Sequence, residues 1–380
     1  MRVGLVTYWF NRGQATVMRT LRRALDEAGH RTFVLARPTT ENFHRPNYIA
    51  ADGIWVQPNV TRARRFEISH DEYLHWARLN QLDAILFFQN KSFDAISRLR
   101  TAGFATAGTY MCEDFTRVEA EASRDAFDVF YALNPWSSYR YRELGLESVV
   151  DIPFAVHPSE AIEAPTREHD GTVFLFVGGY LSERKPLGVV VDAFCAGAAA
   201  NARLIVKSQR PIRPGDLVRP DDLQALRSRH QAHQADSVTL PSDGEDRRIQ
   251  RITADLPADQ QRALMSQVDV AVGVSRWEGL GLHLYEFESS GRPIVVNEME
   301  PYVSYALGRG NCVFVGSHEI GELRGIPVHE PDFSSLADAF DRLSSPDCPA
   351  FARGPTDPGP AWRQMTDALN TMITTLLGDA

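Results

Sequence analysis

Short apolar runs alternate with helix-length amphipathic segments along most of the chain. The first run, VGLVTYW at 3–9, precedes a segment at 15–28 whose apolar residues recur at helical spacing. Gly29 follows directly, at the position where a left-handed glycine commonly ends a helix. Strands that alternate with helices are typical of βαβ units around a parallel sheet. The same half contains four further short apolar runs, at 83–88, 104–108, 129–133 and 149–153.

The alternation stops once and then begins again. Residues 158–171, PSEAIEAPTREHDG, contain two prolines and four acidic residues without a periodic pattern, which indicates a linker. Beyond the linker, apolar runs at 172–179, 202–206, 268–274 and 293–296 alternate with helices predicted at 186–200, 257–267 and 283–290. We therefore predict an α/β protein with two Rossmann-like, doubly wound domains that face each other across a cleft. The predicted bounds are 1–157 for the N-terminal domain, 158–171 for the linker, 172–350 for the C-terminal domain, and 351–380 for a connection and a last helix that can cross back.

The composition is that of a globular enzyme and excludes several other classes of protein. With 380 residues, 43% of them hydrophobic and 23% charged, the chain has room for two domains of ordinary size. No apolar run approaches the roughly 18 to 20 residues that a membrane span needs. A net charge of −9 argues against a general affinity for nucleic acid.

The cysteines and the first residues indicate the compartment. The four cysteines lie far apart and form no CxxC motif, which favours a reducing environment and argues against a zinc site. Cys195 stands among small apolar residues, so we expect a core thiol. The opening MRVGLVTYWF is typical of a buried first strand and not of a signal peptide. We expect a cytoplasmic protein, and the high proportion of arginine suggests a GC-rich bacterial genome.

Lysine is rare, and each lysine follows a predicted strand. Lys and Arg together number 40, of which only Lys91, Lys185 and Lys207 are lysine. Ligands of doubly wound sheets bind beyond the carboxyl ends of the strands. A compact ammonium and a planar guanidinium are not interchangeable at a phosphate. The placement therefore favours a polyanionic ligand such as a diphosphate.

The segment 275–296, SRWEGLGLHLYEFESSGRPIVV, carries the strongest candidate chemistry. A glycine loop with Gly279 and Gly281 lies between a predicted strand and a helix, where backbone amides and the helix N-terminus can bind an anion. Glu278 lies in the loop, and Glu286 lies one turn into the helix. A carboxylate at a helix start can accept two hydrogen bonds from the vicinal hydroxyls of a ribose.

This segment resembles the E-x7-E element of the retaining glycosyltransferases of the GT-B fold, in the family 4-like group. By resemblance, Glu286 binds the donor ribose, Glu278 lies beside the donor sugar, and the amides around Gly281 and Leu282 face the sugar and the diphosphate. The residues that match the pattern EGFGLxxxEAxAxGxPVV are Glu278, Gly279, Gly281, Leu282, Glu286, Gly291 and Pro293.

A second stretch, ERKPLGVVVDAF at 183–194, resembles the "EKG…EAF" segment of the same group. It places Lys185 at the lysine that binds the diphosphate. The family's arginine five residues earlier is Tyr180 here. Arg184 is a candidate to replace that charge, with an ordinary solvated surface arginine as the alternative. Lys207 is a further candidate for the diphosphate.

The N-terminal half departs from the family in its chemistry. Its glycine-rich turn after the first strand keeps only Gly13, with Arg12 where a second glycine is common. Where the family has a histidine near the donor sugar, the segment GTYMCEDF at 108–115 has Glu113 and Asp114. Two interpretations stay open: these carboxylates bind hydroxyls of the donor or acceptor, or they cap a helix that begins near residue 115. His283 is a candidate for either a packed or a functional side chain.

The resemblance implies a retaining glycosyltransferase that moves a sugar from a nucleotide-diphosphate sugar to an acceptor hydroxyl on a small natural product or glycan. No D-x-D element occurs, so we expect neither a metal nor a cofactor. The candidate catalytic residues are Glu278, Glu113 and Asp114, and the candidate donor-binding residues are Gly13, Arg184, Lys185, Lys207, Gly279, Gly281, Leu282 and Glu286.

Two other classes of protein remain open. The chain can be a nucleotide-sugar-binding protein that lacks catalysis, or a nucleotide-sugar 2-epimerase with the same two-domain architecture. Arginine clusters at 19–23 and 62–65 allow a membrane-bound acceptor, but ordinary solvated arginines in an arginine-rich chain are the favoured interpretation. The nucleotide, the sugar, the acceptor and the oligomeric state do not follow from the sequence.

Overall fold

The computed structural model divides the chain into two compact units. The first unit comprises Met1–Pro158 and Gly359–Ala380, and the second comprises Ser159–Pro358. The structure describes residues 1–378 apart from 42, 44, 163–169, 180–182, 210–211, 213–216, 218–245, 308, 346 and 353. Tyr180, where the resembled family has an arginine, lies outside the described residues.

The first unit is built on a seven-stranded parallel sheet with the strand order β3-β2-β1-β4-β5-β6-β7. Leu5 in the central strand pairs with Val34 on one side and Leu86 on the other. Both faces of that strand are covered by helices, which explains its continuous apolar sequence. The strands are β1 (Arg2–Tyr8), β2 (Arg31–Arg37), β3 (Val60–Arg62), β4 (Ala84–Phe88), β5 (Ala105–Thr109), β6 (Val129–Ala132) and β7 (Val149–Asp151).

Five helices connect these strands. The first begins at Gly13, and its apolar stripe, including Leu21 and Leu25, is buried. Gly29 has a φ of 84°, and its amide bonds to the carbonyl of Asp26, as expected for a glycine that ends a helix. The helices are α1 (Gly13–Glu27), α2 (His70–Leu79), α3 (Phe93–Thr101), α4 (Arg117–Ser123) and α5 (Pro135–Glu143).

The second unit contains a six-stranded parallel sheet with the order β10-β9-β8-β11-β12-β13, and a separate two-stranded antiparallel sheet, β14-β15. Four strands of the parallel sheet, β8, β9, β11 and β12, follow the apolar runs of the sequence, whereas β10, β13 and the β14–β15 hairpin were not predicted. The described strands of the second unit are β8 (Val173–Gly179), β9 (Arg203–Ser208), β10 (Ile249–Ile252), β11 (Val270–Val272), β12 (Ile294–Asn297), β13 (Cys312–Val315), β14 (Ser317–Leu323) and β15 (Ile326–Pro331). The helices that the structure describes here are α6 (Leu187–Gly197), α7 (Ala258–Ser266), α8 (Leu282–Glu288), α9 (Tyr302–Ala306) and α10 (Phe333–Leu343).

Aromatic packing joins α6 and α10 to the second sheet. Phe174 of β8, Phe194 of α6 and Phe340 of α10 contact one another edge to face, with ring centroids 4.9–6.0 Å apart. The two helices approach so closely that a Cβ on Gly197 would stand 2.0 Å from the carbonyl oxygen of Ala337. Packing at this point therefore requires glycine.

The expectation that Cys195 is a core thiol is wrong. It is exposed, and its thiol lies 3.6 Å from Oδ2 of Asp246. Its neighbours Ala193 and Phe194 are buried. Successive helical residues point about 100° apart, so an apolar sequence neighbourhood does not by itself place a side chain in the core.

The last helix, α11 (Gly359–Gly378), belongs to the first unit and packs on α1. Met365 and Leu369 are buried, while the indole of Trp362 donates to Glu27 at 2.8 Å. Asn370 lies 2.9 Å from the ring of His30. Of the helices in the described part of the chain, none combines the length and apolarity needed to cross a bilayer. The two parallel-sheet Rossmann-like domains confirm the predicted fold class.

We expect Gly197→Ala to lower the free energy of unfolding by about 1–3 kcal/mol, because the new methyl group must push α6 and α10 apart. Alanine otherwise stabilises helices relative to glycine, so the sign of the change is diagnostic. Urea unfolding measures it. Gly354→Ala is the matched control, since nothing lies within 4 Å of its added Cβ. A Gly197→Ala protein as stable as the control would contradict the close approach.

Candidate functional site

The loop between β11 and α8 is held by side chains from α9 and β12. The hydroxyl of Tyr302 donates to the carbonyl of Gly273 at 2.5 Å and to Ser275 Oγ at 3.0 Å. The amide of Ser275 donates to Asn297 Oδ1 at 2.9 Å. At the other end of the loop, Gly281 adopts a left-handed φ of 73° immediately before α8. Such a conformation favours glycine and fixes the path of the loop.

Within this loop Glu278 binds two cations from the segment that follows β8. Arg184 Nη1 lies 2.5 Å from Glu278 Oε1, and Lys185 Nζ lies 3.0 Å from Oε2. Lys185 also donates to Ser275 Oγ at 2.6 Å. Lys185 and Glu278 are buried, and Arg184 is half-buried. We call Arg184, Lys185, Ser275 and Glu278 the Glu278 cluster.

The Glu278 cluster contains two cations and an ionised carboxylate. Burial would raise the pKa of the Glu278 carboxyl, but Arg184 and Lys185 hold it well below its usual range. Removing charges from water is costly unless they are paired, so the contacts with Glu278 stabilise Arg184 and Lys185 at this edge of the sheet.

His283, the second residue of α8, is packed as a neutral side chain. Burial lowers its pKa to about 3, with a further contribution from Lys185 that Glu278 opposes. A Cβ on Gly273 would stand 2.3 Å from Nε2 of this ring, so the ring fills the space beside a glycine. In the described structure Nε2 has no hydrogen-bond partner. Of the two interpretations of His283, the geometry favours packing.

A buried ion pair that the sequence did not reveal positions this loop. Arg276 forms two hydrogen bonds with the carboxylate of Glu330 in β15, and Arg276 Nη2 lies 3.0 Å from Glu330 Oε1. Its Nη1 donates to the carbonyl of Glu183 at 2.7 Å, and its amide donates to the carbonyl of Arg184 at 2.8 Å. Arg276 thus joins three segments around the Glu278 cluster. Its position inside the motif was the only available signal, because its partner lies in the unpredicted hairpin.

The other candidate donor-binding residues of the second unit are Lys207, Gly279 and Glu286. Lys207 is buried and donates to the carbonyls of Ser208 and Ala254 at 2.9 and 2.8 Å, and its burial lowers its pKa. These contacts tie a neighbouring segment to β9 and are separate from the Glu278 cluster. Gly279 donates its amide to Glu278 Oε1 at 3.1 Å. Glu286 is half-buried on α8, four residues after Leu282 begins the helix.

The candidates of the first unit lie beyond the carboxyl ends of β1 and β5. Gly13 begins α1, and no atom lies within 4 Å of where a Cβ would stand. Glu113 and Asp114 belong to a 3-10 turn, Cys112–Asp114, after β5. Gln89 Nε2 donates to Asp114 Oδ2 at 3.1 Å.

Glu113 and Asp114 do not cap the following helix, so that interpretation is wrong. The helix begins at Arg117, and its capping box consists of Thr116 and Glu119. Lys91 binds the same carboxylate at 2.7 Å. Burial would raise the pKa of Glu119, but Lys91 and Thr116 lower it to about 2. Lys91 therefore supports the start of α4 through Glu119.

Comparison with known proteins identifies the fold. Neither a model of a known protein family nor a curated protein sequence matches the chain. Solved structures do. They include sucrose-phosphate synthase from Thermosynechococcus elongatus, at 16% identity and a TM-score of 0.65, covering 100% of this chain and 98% of that one. Anabaena HepE in complex with UDP and glucose matches at 13% identity and a TM-score of 0.64, covering 100% of both chains.

A further similar structure is the lipopolysaccharide outer core galactosyltransferase WaaB, at 13% identity and a TM-score of 0.60, covering 99% of both chains. The chain has the GT-B fold. At these identities the comparison establishes the two-domain α/β architecture, and activity has to be argued from the site itself.

The neutral state of His283 predicts a pH dependence of stability. In the unfolded chain its pKa is about 6.5, whereas in the fold it is about 3. Between these values the unfolded state binds a proton that the folded state does not, so the free energy of unfolding falls as pH decreases. We expect His283→Leu to reduce the loss of stability between about pH 7 and pH 5, measured by urea unfolding. The exposed His75 provides the control His75→Leu; an equal effect of both substitutions would contradict the assignment.

Proposed function

We propose that the chain is a retaining, metal-independent glycosyltransferase that transfers a sugar from a nucleotide-diphosphate sugar to an acceptor hydroxyl. The observation that carries this proposal is the Glu278 cluster. It places two cations beside a buried carboxylate at the carboxyl end of a doubly wound sheet, in the loop that resembles the E-x7-E element. Ligands of such sheets bind at this end. The fold is shared with HepE, whose solved structure holds UDP and glucose.

In the proposed complex Arg184 and Lys185 bind the diphosphate of the donor. Both cations contact Glu278, so the carboxylate holds them in position for the diphosphate. Glu286, half-buried on α8, binds the ribose hydroxyls. The hydroxyls of the donor sugar then face Glu278 and the amides of Gly281 and Leu282.

The reaction is a displacement on one face of the sugar. The acceptor oxygen forms a bond to the anomeric carbon while the bond to the diphosphate oxygen breaks, and the acceptor proton passes to the departing diphosphate. The chain supplies positioning and charge stabilisation through Arg184 and Lys185. Two cations at the diphosphate can perform the electrostatic role that a divalent metal has elsewhere. Glu113 and Asp114 orient hydroxyl groups from the first unit.

A donor screen tests the activity as a whole. UDP-, GDP- and dTDP-sugars are added to the purified chain with EDTA present, and the thermal midpoint and the release of nucleoside diphosphate are measured. We expect one nucleotide class to raise the midpoint, and its sugar to be hydrolysed slowly in the absence of an acceptor. Binding without release would indicate a nucleotide-sugar-binding protein. Loss of binding in EDTA would contradict metal independence.

Lys185→Ala should weaken binding of the nucleoside diphosphate at least ~10-fold and leave binding of the nucleoside unchanged. The reason is that a hydrogen bond to a charged group contributes about 1.5–3 kcal/mol. Isothermal titration with UDP and uridine, or with the pair that the screen identifies, measures both. Lys185→Arg should restore binding only in part, since a planar guanidinium has a different shape. Lys91→Ala is the matched control, because Lys91 binds Glu119 in the first unit. Equal losses for nucleoside and diphosphate would indicate a packing role.

Glu286→Ala should remove the preference for a ribonucleotide. The parent chain is expected to bind UDP more tightly than 2′-deoxy-UDP, since a hydrogen bond between a charged carboxylate and a hydroxyl contributes about 1.5–3 kcal/mol. The variant should bind the two nucleotides equally. Glu288→Ala is the control on the same helix, since Glu288 already binds Arg309 at 2.7 Å. A Glu286→Ala variant that retained the parent's preference would place the ribose elsewhere.

A further inference from the structure

Tyr302, the first residue of α9, is buried against both ends of the loop that carries Glu278. At one end, its ring lies edge to face with the ring of His283, with centroids 6.3 Å apart. A Cβ on Gly281 would stand only 3.2 Å from Cε1 of the same ring. At the other end, its hydroxyl donates to the carbonyl of Gly273 at 2.5 Å. The loop therefore fixes both the ring and the hydroxyl.

The Tyr302 hydroxyl has one hydrogen to share between two oxygen atoms. Burial raises its pKa well above the ordinary value, with Glu278 adding to the rise and Ser275 opposing it, so the hydroxyl keeps its hydrogen. A backbone carbonyl can only accept, whereas a serine hydroxyl can also donate. When the carbonyl of Gly273 takes the Tyr302 hydrogen, the 3.0 Å contact is made by Ser275 Oγ donating to the Tyr302 oxygen.

This direction decides what Ser275 offers to Lys185. With its hydrogen directed at Tyr302, Ser275 Oγ presents its lone pairs to the ammonium, whose Nζ lies 2.6 Å away. Glu278 Oε2 accepts from Lys185 Nζ at 3.0 Å. The bonds then run in one direction, from the Lys185 ammonium through the two hydroxyls to the carbonyl of Gly273. Hydrogen bonds that follow one another in this way strengthen each other.

Without the Tyr302 hydroxyl, the Ser275 hydrogen would turn toward another acceptor. Glu278 Oε2 lies 3.5 Å from Ser275 Oγ, and it is the same atom that accepts from Lys185. A serine that donates to this oxygen competes with the ammonium for it. A buried charge that loses part of its pairing is costly, so Lys185 would leave its position.

We propose that Tyr302 is a positioning residue of the diphosphate site, and that it acts through Ser275 to hold the Lys185 ammonium. The inference rests on the proposed function for the identity of the ligand, and adds the residue that places the lysine which binds it. The hydroxyl performs this role, whereas the ring fills space beside the loop. Tyr302→Phe separates the two, because it removes the hydroxyl and keeps the ring.

Tyr305 on the same helix provides the matched control. It is also buried, and its hydroxyl donates to the carbonyl of Leu284 at 3.0 Å and lies 3.3 Å from Glu288 Oε2. Both of these partners belong to α8 and lie outside the Glu278 cluster. Tyr305→Phe therefore removes one buried hydroxyl from α9, as Tyr302→Phe does, but leaves the bonds to Lys185 intact.

The first test observes Lys185 directly and needs no nucleotide. The chain has three lysines, so lysine labelled with carbon-13 at Cε gives three side-chain NMR signals, and Lys185→Arg identifies the one of interest. We expect Tyr302→Phe to shift the Lys185 signal and to leave the other two unchanged, while Tyr305→Phe shifts none of them. Ser275→Ala should also shift it, and adding Tyr302→Phe to Ser275→Ala should cause no further shift, because the effect passes through Ser275.

The second test measures the ligand. Isothermal titration compares UDP with uridine, or the pair that the donor screen identifies. Tyr302→Phe should weaken binding of the diphosphate about 5-fold, the size of one neutral hydrogen bond, and leave binding of the nucleoside unchanged. In the Lys185→Ala chain the same substitution should not weaken UDP further, because the group that it positions is gone.

The outcomes separate this inference from the proposed function. A Lys185 signal that Tyr302→Phe leaves unchanged, or that Tyr305→Phe shifts equally, would overturn the inference. Equal losses for UDP and uridine in Tyr302→Phe would also overturn it, since they indicate a packing role. If the Lys185 signal responds as expected but no nucleotide binds, the positioning of Lys185 stands and the transferase function fails. If Lys185→Ala abolishes UDP binding while Tyr302→Phe changes neither the signal nor the affinity, only the positioning role is wrong.

Discussion

The second unit depends on one electrostatic constraint, the sharing of the buried Glu278 carboxylate between Arg184 and Lys185. Two cations next to each other repel, and burial makes each of them costly. The carboxylate relieves both effects. The loop after β8 and the loop after β11 must therefore approach each other.

The surrounding contacts hold the loop after β8 and the loop after β11 together. Arg276 bonds to the carbonyl of Glu183 and to the carboxylate of Glu330, so the hairpin strand β15 is tied to the same pair of loops. Tyr302 and Ser275 extend the network toward α9. Hydrogen bonds among the members of a buried polar network of this kind fix the geometry of the loops.

The first unit differs from the second in the side chains at the carboxyl edge of its sheet. Its carboxyl edge carries aromatic rings and a buried arginine instead of an ion-pair network. The acidic side chains at this edge belong to different local structures. Glu119 caps α4 and binds Lys91, whereas Glu113 and Asp114 belong to a separate 3-10 turn after β5. The two units thus share a strand plan while the edges of their sheets carry different side chains.

The sequence alone determined the alternating strands and helices, the fold class and the loop that carries Glu278, because each depends on local periodicity and on residues a few positions apart. It proposed both Lys185 and Lys207 for a diphosphate, but the contacts of Lys185 with Glu278 and of Lys207 with backbone carbonyls are visible only in the fold. It misplaced Cys195, because helix rotation decides burial. The pairing of Arg276 with Glu330 and the gathering of aromatic rings around Arg37 join residues distant in sequence. Only the tertiary structure decides such contacts, because no local pattern records which loops meet at the edge of a sheet.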